Sequence, residues 1–363
     1  RYGGDEFAVL QTGIRSHMEP SRLAQAIIDA ANLPFQLDGV SAQIGVTIGV
    51  ALSPDDGMDV ASILRAADTA LYRAKNEGRN RFALYEHRMT EAERIRKLVD
   101  DELRGAIEKD ELALVYQPQV HADTGKIASV EALVRWRHPT HGLISPATFI
   151  SVAEERGLIV PLGEWVMRRA CLDAARWPGL RVGVNVSAIQ FRQQNFVETV
   201  DRIIKEYDLE PGRLELELTE GVLVEDADQA EASMMSLRSL GLKLALDDFG
   251  TGYSSLIYLR RFAFDKIKID KSFLDSMEAT GESAILVHSV VHLGRALGLE
   301  VTAEGVENEE QRRFLQAVGC HFLQGYLFSK PVSADAIDEM LRAERGNDAV
   351  RPARATLIEM PAA

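Results

Sequence analysis

The chain has 363 residues, with 41 Lys and Arg against 55 Asp and Glu, and a net charge of −14; 46% of its residues are hydrophobic and 26% charged. This composition excludes a disordered chain, a collagen-like repeat and a coiled-coil rod, and supplies a core for each of the two domains that roughly 150 residues per domain suggests. No apolar run nears the roughly 20 residues needed to cross a bilayer, and the acidic excess argues against a nucleic-acid polymer, which needs a basic footprint. The opening RYGGDEF has no signal-peptide pattern, and a start on Arg rather than Met is expected of a fragment. Cys171 and Cys320 are too few for a disulfide framework, so a reducing cytoplasm is the expected compartment. An acidic protein can still hold a small anion when metals intervene.

Residues 1–86 read as the end of one α/β unit. Phe7–Leu10 is expected as a strand, Ser21–Leu33 as a helix and Gln43–Leu52 as a strand, followed by an Asp55-Asp56-Gly57 turn. Val60–Asn76 has helical apolar spacing (Ile63, Ala67, Leu71, Ala74) and Gly78 just past its end. Thr90 with Glu93 suggests a capping box, and Ile95, Leu98, Val99, Ala106 and Ile107 mark one face of a connecting helix to about Lys109.

From Leu112 the pattern becomes regular. Short β-rich runs fall at Leu112–Gln117, Ser129–Val134, Arg181–Val186, Leu214–Leu218, Lys243–Leu246, Asp265–Ile269, Glu300–Ala303 and His321–Leu323. Helical stretches separate most of them: Thr148–Glu155, Glu164–Arg176, Phe196–Tyr207, Asp228–Leu240, Glu282–Leu297, Glu309–Val318 and Ala334–Arg342. Eight strands alternating with helices predict a (β/α)8 barrel rather than a doubly wound sheet. The Pro, Ala and Arg mixture of residues 344–363 is expected to be a disordered tail.

Polar residues recur at the strand ends. Glu131 lies in the second run, Asn185 ends the third and Glu217 closes the fourth. Asp247 and Asp248 follow the fifth, Lys268 and Asp270 end the sixth, Glu304 follows the seventh and Gln324 the eighth. In a barrel these converge on the C-terminal mouth, where barrel active sites lie. Two like charges about 4 Å apart repel by roughly 4 kcal/mol at an effective dielectric near 20, so such a cluster calls for cations. Carboxylates plus one amide oxygen, without Cys or His, suit Mg²⁺ or Mn²⁺, and adjacent aspartates could each serve a different metal in phosphoryl chemistry. His138, His141, His288, His292 and His321 lie off these positions and read as structural or exposed. The glycines and hydroxyl residues of Asp247–Leu256 suggest a mobile loop that senses occupancy of the site.

These motifs carry a resemblance. Glu131-Ala132-Leu133, within Glu131–Trp136, and Gly3-Gly4-Asp5-Glu6-Phe7 resemble the GGDEF–EAL proteins of bacterial cyclic-di-GMP signalling. The EAL resemblance runs over about residues 92–343 and includes Gln117-Pro118, Asn185-Val186-Ser187, Glu217–Glu220, Asp247–Gly252, Lys268-Ile269-Asp270, Glu304–Glu307 and Gln324-Gly325-Tyr326. It implies a truncated GGDEF domain over 1–86, a connecting helix and domain start over 87–110, and an EAL barrel over 111–343. The implied fold is a modified (β/α)8 barrel whose first strand runs antiparallel, preceded by part of an α/β nucleotidyl-cyclase-like domain. The implied activity is hydrolysis of cyclic-di-GMP to pGpG with two Mg²⁺ or Mn²⁺ ions, in a homodimer formed through the EAL domain.

Carried over by residue, the resemblance makes Glu131, Asn185, Glu217 and Asp247 metal ligands, with Asp248 serving the second metal. Lys268 and Glu304 share the handling of the attacking water, with the general base left open between them, and Gln324 completes its hydrogen bonding. Gln117, Leu133, Arg135 and Asp270 match substrate-contacting positions, and Glu220 and Glu307 match positions supporting the Asp247–Leu256 loop. Gly3, Gly4, Asp5, Glu6, Phe7, Lys75 and Arg79 match a cyclase site whose remaining parts would precede residue 1, so it is expected to be vestigial here. One alternative is a bifunctional parent protein whose diguanylate cyclase activity is lost in this truncated chain; the other is a non-catalytic cyclic-di-GMP receptor. That reading predicts a lost ligand at a position such as Glu131 or Asp247, and both are intact.

Overall fold

The structure is a computed structural model that describes residues 6–349 apart from 15, 17, 38, 39, 43, 77, 110, 224, 225, 251–258, 260 and 276–280. The chain divides into two compact units, Arg1–Leu98 and Val99–Ala363.

In the first unit the helix Met18–Ala31 is followed by the antiparallel pair β1 (Phe35–Leu37) and β2 (Val40–Ala42). β3 (Ile48–Val50) and β4 (Phe82–Leu84) pair in parallel across the helix Val60–Asn76. That helix sits so close to β3 that a Cβ on Gly49 would lie 1.9 Å from the Ala67 carbonyl oxygen. Three expectations are corrected here. Phe7–Leu10 is not a strand; Phe7, Val9 and Leu10 are 70%, 69% and 88% exposed. The Gln43–Leu52 strand shrinks to β3. The backbone before it is held by Asn80, whose Oδ1 accepts from Val46 N (3.3 Å) and whose N–H donates to Thr47 Oγ1 (3.1 Å), and these bonds replace a strand ladder. The connecting helix His87–Glu108 starts two residues after β4, so Thr90 lies inside it and not at its cap.

In the second unit, among the described residues, eight strands close a barrel. They are β5 (Leu112–His121), β6 (Ile127–His138), β8 (Arg181–Val186), β9 (Leu214–Thr219), β10 (Lys243–Phe249), β11 (Lys266–Ile269), β12 (Glu300–Ala303) and β13 (Phe322–Gln324). β5 runs antiparallel to both its neighbours, β6 and β13, while the remaining neighbours are parallel. A short β7 (Gly142–Ile144) extends β6 beyond the ring. β5 passes through Pro118, further than the expected stop at Gln117. Its pairing with β13 begins only at Gln119, so one edge is open where the proline has no N–H to give.

The helices bury apolar stripes against the outside of the strands. Val287, Val291 and Leu315 pack on Ile269, Val301 and Leu323. Local signals stop and start them: Asn308 accepts from Glu310 N and Gln311 N, while Gln311 Oε1 accepts back from Asn308 N, a capping box for Glu309–Ala317. The last helix, Ala334–Ala349, extends into the stretch expected to be a disordered tail and corrects that expectation up to residue 349. Among the described residues no helix is long and apolar enough to cross a membrane.

Tyr116 ties β5 to the helix Ile159–Ala174. Its buried hydroxyl donates to Asp173 Oδ2 at 2.7 Å, and its ring meets Trp177 edge-on at 4.9 Å. Burial and the neighbouring Asp173 charge push the phenol far above its usual range. Tyr116→Phe should therefore cost about 1–3 kcal/mol in urea unfolding, because Asp173 loses a buried donor. Cys171 and Cys320 are buried, and burial pushes both thiols up to about 12. In the native protein neither should react with a thiol reagent at pH 8, while both should react in denaturant; rapid labelling of the native form would contradict this burial.

Candidate active site

Lys268, on β11, is 1% exposed and stands inside the C-terminal mouth of the barrel. Its Nζ lies 2.5 Å from Glu217 Oε2, 2.6 Å from Glu304 Oε1, 3.2 Å from Asp247 Oδ1 and 3.4 Å from Glu131 Oε2. Four strands besides its own therefore deliver a carboxylate to one ammonium: β6, β9, β10 and the residue just after β12. Burial opposes a charged lysine, but Asp247, Glu131, Glu217 and Glu304 hold it well above its ordinary range.

One positive charge cannot balance four negative ones in a buried space, and the carboxyls divide accordingly. Glu131 stays below the usual range against the pull of burial, because Lys268 attracts it and its two oxygens each accept at 2.7 Å, Oε1 from Asn185 Nδ2 and Oε2 from Gln324 Nε2. Glu217 is raised well above it by burial and by the charges of Glu131, Asp247 and Glu215. Glu304 is pushed up to about 8 by burial, with Asp247 and Glu131 adding to it against Lys268.

Asp247 and Asp248 are the end of β10 rather than residues beyond it, which corrects the expected stop at Leu246. Neighbours on a strand normally face opposite sides. Here Asp248 takes φ +52° and the register against β11 shifts between Leu246 and Phe249, a bulge that re-aims the second carboxylate. Burial, then the charges of Asp247 and Asp270, raise its pKa. Asp270 uses Oδ1 to accept from Ser272 N at 3.0 Å at the start of the helix Lys271–Asp275. Gly250 N donates to Glu220 Oε1 at 3.3 Å; with φ +99° and Phe273 Cζ 2.3 Å from where a Cβ would sit, that position admits only glycine. Residues 251–256 of the expected loop lie outside the described residues. Glu307 pairs with Lys271 at 2.5 Å.

Beside the cluster, Gln117 donates to the Ser329 carbonyl (3.1 Å) and accepts from Gln324 (3.2 Å). Arg135 lies further out on the face of β6 that carries Glu131 and Leu133, and it lines a cavity of about 630 Å³ with Arg137, Leu143, Tyr326 and Lys330. The Lys330 ammonium lies 5.4 Å from the centre of the Tyr326 ring. Arg137 and Lys330 went unnoticed in the sequence, although the two-residue spacing from Arg135 to Arg137 already puts these two arginines on one face. The histidines stay out of the cluster: His138 faces Glu102 (3.0 Å), His321 Nδ1 accepts from Val301 N (3.0 Å), and His288 and His292 stack on each other at 4.3 Å.

Among the described residues, no three His, Cys, Asp or Glu side chains are gathered as bare metal ligands. The ammonium of Lys268 is the cation around which the carboxylates stand. The donor set nevertheless fits hard divalent cations: it is all oxygen, and Glu217 Oε1 is buried without a hydrogen-bond partner.

The EAL domain description matches residues 100–331, well over half of the chain. The chain belongs to the EAL-domain family. Residues 1–81 match the diguanylate cyclase GGDEF domain. Gly3, Gly4 and Asp5 lie outside the described residues, Glu6 and Phe7 are exposed, and Lys75 and Arg79 are exposed around the end of the helix Val60–Asn76. The bifunctional diguanylate cyclase/cyclic di-GMP phosphodiesterase MucR of Pseudomonas aeruginosa is 40% identical over 343 residues, 93% of this chain and 50% of MucR. The cyclic di-GMP phosphodiesterase PdeR of Escherichia coli is 40% identical over 342 residues, 93% of this chain and 51% of PdeR. This EAL chain spans about half the length of the curated relatives it matches. A solved structure of the PaMucR phosphodiesterase, a c-di-GMP complex, superposes with a TM-score of 0.64 at 42% identity, covering 66% of this chain and 99% of that one.

The EAL barrel also depends on a glycine that sequence reasoning missed. A Cβ on Gly183 of β8 would lie 2.1 Å from Glu217 Oε1. Its signal is its place two residues before Asn185, on the same face. Gly183→Ala, a change that often stabilises an extended position, should here cost about 1–3 kcal/mol in urea unfolding, because the Glu217 carboxylate must move off Lys268.

Proposed function

We propose that the barrel hydrolyses cyclic-di-GMP to linear pGpG with two divalent cations, Mg²⁺ or Mn²⁺, held at the strand-end cluster. The observation that carries this reading is the convergence of Glu131, Glu217, Asp247 and Glu304 on one buried point, with a cavity of about 630 Å³ lined by Arg135, Arg137 and Lys330 further along the face of β6 that carries Glu131. The first suits cations and the second an anion. The identity with MucR and PdeR supports the same substrate.

Glu131, Asn185, Glu217 and Asp247 supply the direct ligands, and Asp248 serves the second cation. Bound there, the cations supply Lewis-acid stabilisation of phosphoryl charge and acidify water. The remaining work falls to the chain. Arg135 grips a phosphate, with Gln117, Leu133 and Asp270 fixing the rest of the substrate. Water attacks phosphorus in line and the 3′-oxygen leaves, which opens the ring. Lys268 orients that water and offsets charge on the phosphoryl oxygens. An ammonium held above its usual range is a poor proton acceptor, which favours Glu304, pushed up to about 8, as the base. Gln324 completes the hydrogen bonding, and Glu220 and Glu307 support the loop that follows Asp248. The protein acts in the cytoplasm as a homodimer through the barrel.

Incubation of the purified chain with cyclic-di-GMP and Mg²⁺ or Mn²⁺, followed by chromatography, should yield pGpG. Binding without pGpG would replace this reading with a receptor. Glu131→Ala should lower turnover by at least about 100-fold with an unchanged circular-dichroism spectrum, and undiminished turnover would show that the cations sit elsewhere.

A further inference from the structure

Beneath the carboxylate cluster lies a second polar layer, formed by residues two positions from the first on the same strand faces. Gln119 pairs with Gln117 in this way, Ser129 with Glu131, Glu215 with Glu217, and Lys266 with Lys268. All four are buried, and Lys266 is wholly so. Lys266 Nζ donates to Glu215 Oε1 at 2.5 Å and to Gln119 Oε1 at 3.3 Å, and lies 5.2 Å from the centre of the Phe322 ring. Ser129 Oγ donates to the same Gln119 oxygen at 2.8 Å. Gln119 Nε2 donates to Gln324 Oε1 at 2.9 Å, and Gln324 Nε2 donates to Glu131 Oε2 at 2.7 Å and to Gln117 Oε1 at 3.2 Å.

The chemistry of these groups gives the chain a direction. An ammonium has hydrogens to give and no lone pair, so only the oxygen end of the Gln119 amide can face Lys266. The NH₂ end then faces Gln324, whose own oxygen must turn to meet it. The NH₂ of Gln324 is thereby turned onto the Glu131 carboxylate. Reversal of the Gln324 amide would set its oxygen against a Glu131 oxygen, and reversal of the Gln119 amide would set the two amide oxygens together; either puts two acceptors in contact in a buried interior.

We propose that Lys266 and Gln119 are positioning residues for the phosphodiester hydrolysis: they dictate which end of the Gln324 amide meets Glu131, and so hold Glu131 in the orientation its ligand role requires. This rests on the reading of Glu131 as a cation ligand. A simpler role for the same residues is to fill and neutralise the barrel lumen, and one substitution separates the two. Gln119→Glu keeps an acceptor for Lys266 and Ser129 but, once ionised, has no hydrogen for Gln324.

The test measures Mn²⁺ affinity by titration calorimetry and cyclic-di-GMP turnover at pH 8.5 for wild type, Gln119→Glu and Gln119→Met. Both variants should weaken Mn²⁺ binding and lower kcat by about tenfold or more, with KM nearly unchanged and, for Gln119→Glu, a melting temperature close to wild type. Wild-type affinity and kcat in Gln119→Glu would overturn the relay. The paired replacement Lys266→Met with Glu215→Leu removes both buried charges together, and it should lower kcat in the same direction. Unchanged kcat there would remove Lys266 from the proposal. Absence of pGpG from wild type would sink the phosphodiesterase reading, while the Mn²⁺ titrations, which need no turnover, would still judge the relay.

Discussion

The constraint on which the barrel depends is charge balance in a closed space. Four carboxylates from separate elements meet at the buried ammonium of Lys268, where each charge is felt strongly. The crowding raises Glu217 and Glu304 above the usual carboxylate range, and divalent cations would relieve the imbalance. A cluster with this surplus of negative charge suits hard divalent cations beside the lysine. On the proposed function, cations would offset that surplus, and Arg135, Arg137 and Lys330 would supply the positive charge that a phosphate needs in an acidic chain.

The ring of strands was legible because short β-rich runs end, one after another, in polar residues that a closed barrel gathers at one mouth. Glu131, Glu217, Asp247, Lys268 and Glu304 do meet at one point. What spacing could not show is direction. Nothing in the pattern of Leu112–Gln117 distinguishes an antiparallel first strand from a parallel one; that came only from the family resemblance. The re-aiming of Asp248 was equally hidden, since it hangs on a positive φ and a bulge, which leave no mark on a two-residue alternation.

The lower layer was missed for a different reason. Lys266 and Glu215 are charged residues that alternate with Ile and Leu in the same register as Lys268 and Glu217, and charged residues are seldom wholly buried unless paired. Each finds its partner on a strand about fifty residues away, a distance that sequence reading does not span. In the first unit the errors ran the other way. Phe7–Leu10 has the composition of a strand but is exposed and lies outside the strands, and Val46 and Thr47 are bonded to Asn80 instead of to a strand.

The hairpin of β5 and β6 continues past the rim of the barrel, so Glu131, Leu133, Arg135 and Arg137 line one face of a single unbroken strand. At about 3.3 Å per residue, such a strand works as a ruler between the reacting centre and the cationic cavity. Its graduations cannot be altered one at a time: a single inserted or deleted residue between Glu131 and Arg135 would swing the arginine to the opposite face. Evolution of this segment is therefore expected to proceed by exchanging side chains at fixed length. Changes in length belong instead to the turn before β7, where the spacing of the two sites is unaffected.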